Sequence, residues 1–297
     1  MLEELKECKI CPHNCRVNRM NGNIGRCGST DKVKIALVSR HDFEEPCISG
    51  SNGSGTIFFS NCNMNCVFCQ NYEISQKGFG KEISIDRLAE IFLKQQESGV
   101  HNINLVTPTS YTYQIIEAIK IAKDKGLNIP IVYNTNGYEF VENIKKLEGY
   151  IDIYLPDLKY SENDLGVKYS KVDNYFEIAT EAIKEMKRQI KKIEFDENGI
   201  MKKGIIIRHL VLPNHISNSK KVLKWINNNM KDAYISIMAQ YFPTYKAKEI
   251  KELNRKLTKE EYNEIEEYLY SLDINNGFIQ ELGEHEEEYV PKWEINV

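Results

Sequence analysis

Three cysteines stand within eight residues, Cys62-Asn63-Met64-Asn65-Cys66-Val67-Phe68-Cys69, almost directly after the apolar run Thr56-Ile57-Phe58-Phe59-Ser60. A strand-like run that empties into a C-x3-C-x2-C loop leaves few things a chain can be. Thiolates are soft ligands, and three in one tight loop suit an iron–sulfur cluster or a soft metal. Three ligands, where a closed site wants four, leave one iron of a cubane free for something that is not protein.

A second set lies upstream. Cys8, Cys11, Cys15 and Cys27 are spaced C-x2-C-x3-C-x11-C, with Pro12, Gly22, Gly25 and Gly28 between and beside them to turn the chain back on itself. Four thiolates make a closed set, fit for structural zinc or an auxiliary cluster. His13 reads as a solvated loop histidine and Cys47 as a buried or spare thiol. Eight cysteines would suit disulfides in a small secreted protein, but this chain has 297 residues and opens Met-Leu-Glu-Glu-Leu-Lys-Glu, acidic where a signal peptide is basic. Reduced thiolates in a cytoplasmic protein are expected. A net charge of −4 gives no footprint for nucleic acid or an anionic membrane, and no apolar run approaches the ~20 residues of a membrane helix.

From residue 56 onward strand-like and helix-like segments alternate. Strands are expected over 56–60, 103–107, 129–133, 151–155, 204–212 and 233–238, and helices over 85–97, 110–125, 139–147, 173–187 and 218–230. Within 85–97, Leu88, Ile91 and Phe92 share one face of a 3.6-residue period. Six strands alternating with helices predict an α/β protein with a parallel sheet and right-handed crossovers. A short strand is expected over 33–39, a hairpin turn within 191–203, and a last helix opened by the capping box Thr258-Lys259-Glu260-Glu261. The acidic 281–288 stretch reads as a solvated tail. The organisation expected is a Cys-rich extension over 1–50, a barrel over 51–250, and a C-terminal helix and tail over 251–297.

The C-x3-C-x-(aromatic)-C loop, with Phe68 as the aromatic, resembles the signature of the radical S-adenosylmethionine (radical SAM) superfamily. The segment Gly53-Ser54-Gly55-Thr56-Ile57-Phe58-Phe59 with Cys69-Gln70-Asn71-Tyr72 resembles, more narrowly, the uncharacterised relatives of pyruvate formate-lyase activating enzymes. The resemblance implies a partial (β/α)6 TIM-like barrel whose chemistry sits at the C-terminal strand ends. It implies a [4Fe-4S] cluster on Cys62, Cys66 and Cys69, whose open iron chelates the methionine part of S-adenosylmethionine (SAM). One electron, from a donor such as flavodoxin or ferredoxin, then yields methionine and a 5′-deoxyadenosyl radical.

Further cofactor-binding residues follow from the same resemblance. After the second barrel strand, Thr107-Pro108-Thr109-Ser110 replaces the Gly-Gly-Glu that many members use to grip the methionine amine, so backbone carbonyls and Thr107 or Thr109 would take over, with Ser110 capping the next helix. Asn134-Thr135-Asn136-Gly137 resembles an Asp-Thr-Asn-Gly, with Asn134 in place of the acid that helps form a cation site. Asp157-Leu158-Lys159 matches an Asp-Leu-Lys, where an ammonium suits a SAM carboxylate. In Arg208-His209 the family has this histidine or its neighbour near SAM; a satisfied core histidine is the other reading. Gln240 and Tyr241 are substrate-side candidates, with packing the alternative for Tyr241.

The function expected is reductive SAM cleavage for hydrogen abstraction, with a glycyl-radical enzyme as one candidate substrate and a small molecule or other peptide as another. The competing class is a non-catalytic zinc-binding structural or adaptor protein. A nucleic-acid-binding leader, resting on Arg16, Arg19 and Arg26, is disfavoured by the net charge.

Overall fold

The computed structural model describes residues 1–274, 276–283, 293 and 295. Most of the acidic tail therefore lies outside the described residues. Ten strands form one sheet: β1 (Val33–His41), β2 (Ser54–Phe59), β3 (Lys81–Ile83), β4 (Ile103–Val106), β5 (Ile131–Thr135), β6 (Ile153–Pro156), β7 (Glu194–Phe195), β8 (Met201–Leu210), β9 (Tyr234–Met238) and β10 (Gly277–Ile279). Their order is β10-β9-β8-β6-β5-β4-β2-β1-β3, with β7 hanging off β8. All six expected barrel strands are present, as β2, β4, β5, β6, β8 and β9, and every neighbouring pair among them is parallel. The ends do not meet, so the sheet is a partial barrel. Further strands extend it. β1, longer than the expected 33–39, runs antiparallel beside β2, and β10 adds parallel to β9.

Alternation along the strands sorts the two faces. Ile57, Phe59, Ile103, Leu105, Ile131, Tyr133, Ile205, Ile207, Ile235 and Ile237 join the main core under the helices. Their neighbours Phe58, Val106, Asn134, Arg208, Ser236 and Met238 turn to the interior cavity. Burial on both faces explains why these strands read as continuous apolar runs.

The helices are α1 (Pro46–Ser49), α2 (Tyr72–Ser75), α3 (Ile85–Glu97), α4 (Thr112–Asp124), α5 (Val141–Lys146), α6 (Asn163–Ser170), α7 (Tyr175–Gln189), α8 (Ile216–Asn229) and α9 (Lys259–Tyr270). Ser84 caps α3 by accepting from the Arg87 amide, and Leu88, Ile91 and Phe92 are buried as the period requires. Both halves of the expected capping box form at Thr258 and Glu261. Ser110 is not a helix cap: it lies in a 3-10 turn, Thr109–Tyr111, and its carbonyl accepts from Arg19 at 2.8 Å. The turn before β8 is closed by the Asp196 carboxylate, which accepts from the amides of Asn198 and Ile200. Among the described residues no helix is long and apolar enough to cross a membrane.

The cysteine-rich leader is docked, not free. Arg19 is 1% exposed and donates to the Thr30 and Ser110 carbonyls. His13, expected in solvent, is half-buried; its Nε2 donates to the Asn63 carbonyl at 2.6 Å and its ring leans on Tyr138. The Asn61 amide donates to the hydroxyls of Ser29 and Tyr111, tying leader and barrel together again.

Candidate active site

The loop after β2 carries Cys62, Cys66 and Cys69 at the end where the parallel strands finish. Its polar backbone is satisfied by elements distant in sequence. The end of α6 accepts from it, Tyr169 O from Val67 N at 2.8 Å and Ser170 O from Asn65 N at 3.0 Å. Val67 O accepts from Ala247 N at 2.9 Å, and the Asn63 amide donates to Tyr138 O at 2.6 Å. No periodic signal marks α6, whose Gly166 and short polar start mask its apolar face.

Each of the three sulfurs has a polar hydrogen beside it. Cys62 Sγ accepts from Met64 N at 3.4 Å and Asn136 Nδ2 at 3.3 Å, and Cys66 Sγ accepts from Ser170 Oγ at 3.0 Å. Cys69 Sγ lies 3.2 Å from Ser75 Oγ. Burial raises all three thiols, Cys66 to about 11 with Lys159 pulling the other way. Loading a cluster must therefore displace protons. The donor set fits a cubane: three buried sulfurs with hydrogen bonds ready to support thiolate charge. Among the described residues no three His, Cys, Asp or Glu side chains form a ready-made site for one ion. The leader thiols Cys8, Cys11, Cys15 and Cys27 are likewise not drawn onto one centre, although Cys11 feels the charges of Cys15 and Cys27.

Below the loop, inside the barrel, lies a cavity of about 1060 Å³. Cys66, Phe68, Cys69, Asn134, Asp157, Lys159 and Gln240 line it. Phe68 stands edge-on to Tyr241 at 6.1 Å. Asp157 is the hub: its Oδ2 accepts from Lys159 Nζ at 2.6 Å and its Oδ1 from Arg208 Nε at 3.0 Å. Those two cations overcome burial and hold its carboxyl below the usual range. Lys159 is raised in turn, Asp157 outweighing burial. Arg208 Nη2 donates to Asn134 Oδ1 at 2.6 Å, taking up the oxygen that this position would offer a cation.

Four of the candidate residues lie outside the cavity lining, and for His209 and Tyr241 the structure takes the packing reading. His209 does not approach the cavity: it sits on the helix-facing side of β8, fully buried, with Nδ1 donating to Leu158 O at 2.7 Å and Nε2 accepting from Ser219 Oγ at 2.8 Å. Burial pushes it down to about 4, so it is a neutral core residue. Thr107 is not a cavity residue either. It takes a left-handed φ of 62° where β4 ends, and its amide donates to Asn134 O at 2.9 Å. Asn136 also stays out of the cavity, spending its amide on Cys62 and Asn63. It is held there by Gly137, at φ 81°, where a Cβ would sit 2.3 Å from the Asp157 carbonyl. Tyr241 packs, donating to Leu253 O at 2.7 Å. Cys47 is a buried thiol outside both sets, pushed up to about 12.

Glu44, Glu45 and Ser236, which no sequence motif marks, line the cavity, and so does Arg208, the neighbour of His209. Successive residues of a strand face opposite ways, and the burial of Ile205 and Ile207 under the helices says that Arg208 is the one facing inward.

A parallel barrel, left open, with a three-cysteine loop at the C-terminal strand ends over an interior cavity, defines the class. The family model of the radical SAM superfamily matches residues 56–196. An uncharacterised protein of Methanocaldococcus jannaschii, MJ0674, is 38% identical over 91% of this chain and 76% of its own length. The chain belongs to the radical SAM superfamily. Among solved structures, methylornithine synthase (PylB) is similar in fold, with a TM-score of 0.50 and 15% identity over 70% of this chain and 59% of that one. SuiB of Streptococcus suis, solved with S-adenosylmethionine bound, gives a TM-score of 0.46 at 16% identity over 74% and 45% of the two chains. Membership brings a [4Fe-4S] cluster and SAM with it; none of these likenesses singles out the activating-enzyme branch.

Proposed function

We propose that Cys62, Cys66 and Cys69 hold a [4Fe-4S] cluster that, when bound and reduced, cleaves SAM to methionine and a 5′-deoxyadenosyl radical for hydrogen abstraction from a substrate. The observation that carries this reading is that Cys66, Phe68 and Cys69 border the same closed-in cavity as the Asp157–Lys159–Arg208 network. Lys159, beside Cys66 and Cys69, is the cation suited to a SAM carboxylate. Asp157 orients that ammonium, and Phe68 keeps water from the sulfurs. Asn136 and Ser170 orient Cys62 and Cys66. No acid–base pair is required of the chain, because abstraction of hydrogen by a radical moves no proton.

A glycyl-radical enzyme is one candidate substrate, on the likeness of residues 53–72 to activating enzymes, and a small molecule is the other, with flavodoxin or ferredoxin the electron donor. The leader set Cys8, Cys11, Cys15 and Cys27 takes a second metal, zinc or an auxiliary cluster, supported by its full complement of four thiols. Anaerobic iron and sulfide content, EPR and release of 5′-deoxyadenosine test these points together. Cys62→Ala abolishes the SAM-responsive EPR signal and 5′-deoxyadenosine, while Cys8→Ala removes only the second metal. A colourless wild type that holds zinc at both sets and leaves SAM intact would refute the proposal. Absence of a glycyl EPR signal with every candidate partner would refute the activase version alone.

A further inference from the structure

Arg208 meets acids from two ends of the cavity. Asp157 reaches it from the strand ends near the cysteines. Glu44 and Glu45 reach the interior from the loop after β1, which runs antiparallel to β2 and so delivers them where the parallel strands begin. Glu44 Oε2 lies 3.4 Å from Arg208 Nη1. Glu45 is 8% exposed, and its Oε2 has no hydrogen-bond partner; the Ser236 hydroxyl stands beside its carboxylate. Against Glu44 lies Asn104, fully buried, with neither amide atom completing a hydrogen bond. Orphaned polar atoms of this kind destabilise the fold unless something else satisfies them.

The charges do not balance either. Three carboxylates, Asp157, Glu44 and Glu45, face two cations, Lys159 and Arg208, and Asp157 already engages both cations. The other acid at the cavity, Asp42, is half exposed and pairs outward with Arg40. Burial raises both Glu44 and Glu45, so the acid with no cation of its own is held towards its neutral form, with an unpartnered oxygen, until a cation reaches it. The cavity, at about 1060 Å³, is also larger than a single small ligand needs.

We propose that the Glu44–Glu45 end of the cavity is the substrate subsite, and that it takes a small molecule carrying a cationic nitrogen, an ammonium or guanidinium, on the Glu45 carboxylate. This rests on the radical SAM reading, which assigns SAM to the cysteine end and leaves the opposite end for substrate. Glu45 Oε2 accepts from the cation, and Ser236 steadies the same carboxylate.

The test uses the full chain, anaerobically reconstituted and supplied with SAM. n-Butylguanidinium and n-butylammonium are the probes, with 1-butanol and butyrate as neutral and anionic controls, read by saturation-transfer NMR and thermal shift. At least one cation binds the wild type, neither control does, and Glu45→Gln weakens the cation at least about tenfold. Circular dichroism reports whether that variant folds; if it does not, Glu44→Gln is read instead, with the same expectation. Butanol binding as well as the cations, failure of both cations with the wild type, or undiminished binding by the folded variant each overturns the proposal. Release of 5′-deoxyadenosine by the wild type is scored separately. SAM cleavage without cation binding sinks the subsite alone, and cation binding without SAM cleavage sinks the radical reading alone.

Discussion

Arg208 Nε donates to Asp157 Oδ1 at 3.0 Å across the parallel pair β6–β8, at a point where the backbones of the same two residues also form an isolated bridge. One guanidinium thus joins two strand ends, an amide (Asn134) and a second acid (Glu44) inside the barrel.

Arg208→Ala leaves Glu44 without a counter-charge and Asp157 with only Lys159. Removing one partner of a buried pair costs about 3–5 kcal/mol. Anaerobic urea unfolding should show a loss of that size. Arg208→Lys should recover part of it, since a compact ammonium cannot reach acceptors spread over Nε, Nη1 and Nη2 of a guanidinium. A loss no larger than that of an exposed pair would mean the network is solvated.

His209 is neutral and buried, with its folded value near 4 against an ordinary 6.5. Between those values the unfolded chain binds the proton and the native one does not, so this residue's contribution is present above pH 6.5 and lost as pH falls towards 4. The loss totals about 3 kcal/mol. His209→Gln should flatten that limb of the stability profile, measured against the wild type by denaturant melts at each pH. The same variant should leave the affinity for SAM unchanged, which a cofactor ligand would not.

Glu139 gives the opposite slope. Burial raises it to about 7 although Thr109, Thr135 and Tyr133 all donate to its Oε1. Here the native state holds the proton that the unfolded chain has released, so stability falls as pH rises from about 4.5 to 7. Glu139→Gln should remove that fall, again read as a difference from the wild type. An unchanged profile would show that this carboxyl is ionised in the fold.

Ser170→Ala removes the hydroxyl that donates to Cys66 Sγ. Hydrogen bonds to cluster sulfurs favour the reduced state. The reduction potential of the reconstituted cluster should move negative, followed by EPR-monitored titration, with iron content unchanged. A potential equal to the wild type would mean the hydroxyl turns elsewhere once the sulfur binds iron.

Much of this was legible beforehand because the periodic signals are strong. The six barrel strands, the α3 face and the Thr258 capping box depend on local patterns that tertiary packing had no reason to override. The interior was harder to read. A strand buried on both faces, such as Gly204-Ile205-Ile206-Ile207, does not say which parity faces inward, so His209 was favoured and Arg208 passed over. Thr107 and Asn136 sit where the motif order puts them, but backbone turns aim them away from the cavity. Glu44 and Glu45 come from an irregular segment before β2, and only the antiparallel path of β1 delivers them to the barrel. The leader's docking rests on pairings such as Arg19 with Ser110, too distant in sequence for any local pattern to record.

The hydrogen bond from His13 to the Asn63 carbonyl makes the two cysteine-bearing segments mechanical neighbours. The leader's seat is built from Asn63, Ser110 and Tyr138, and Asn63 directly follows Cys62. A disturbance of the leader is therefore passed to the three-cysteine loop through one histidine ring.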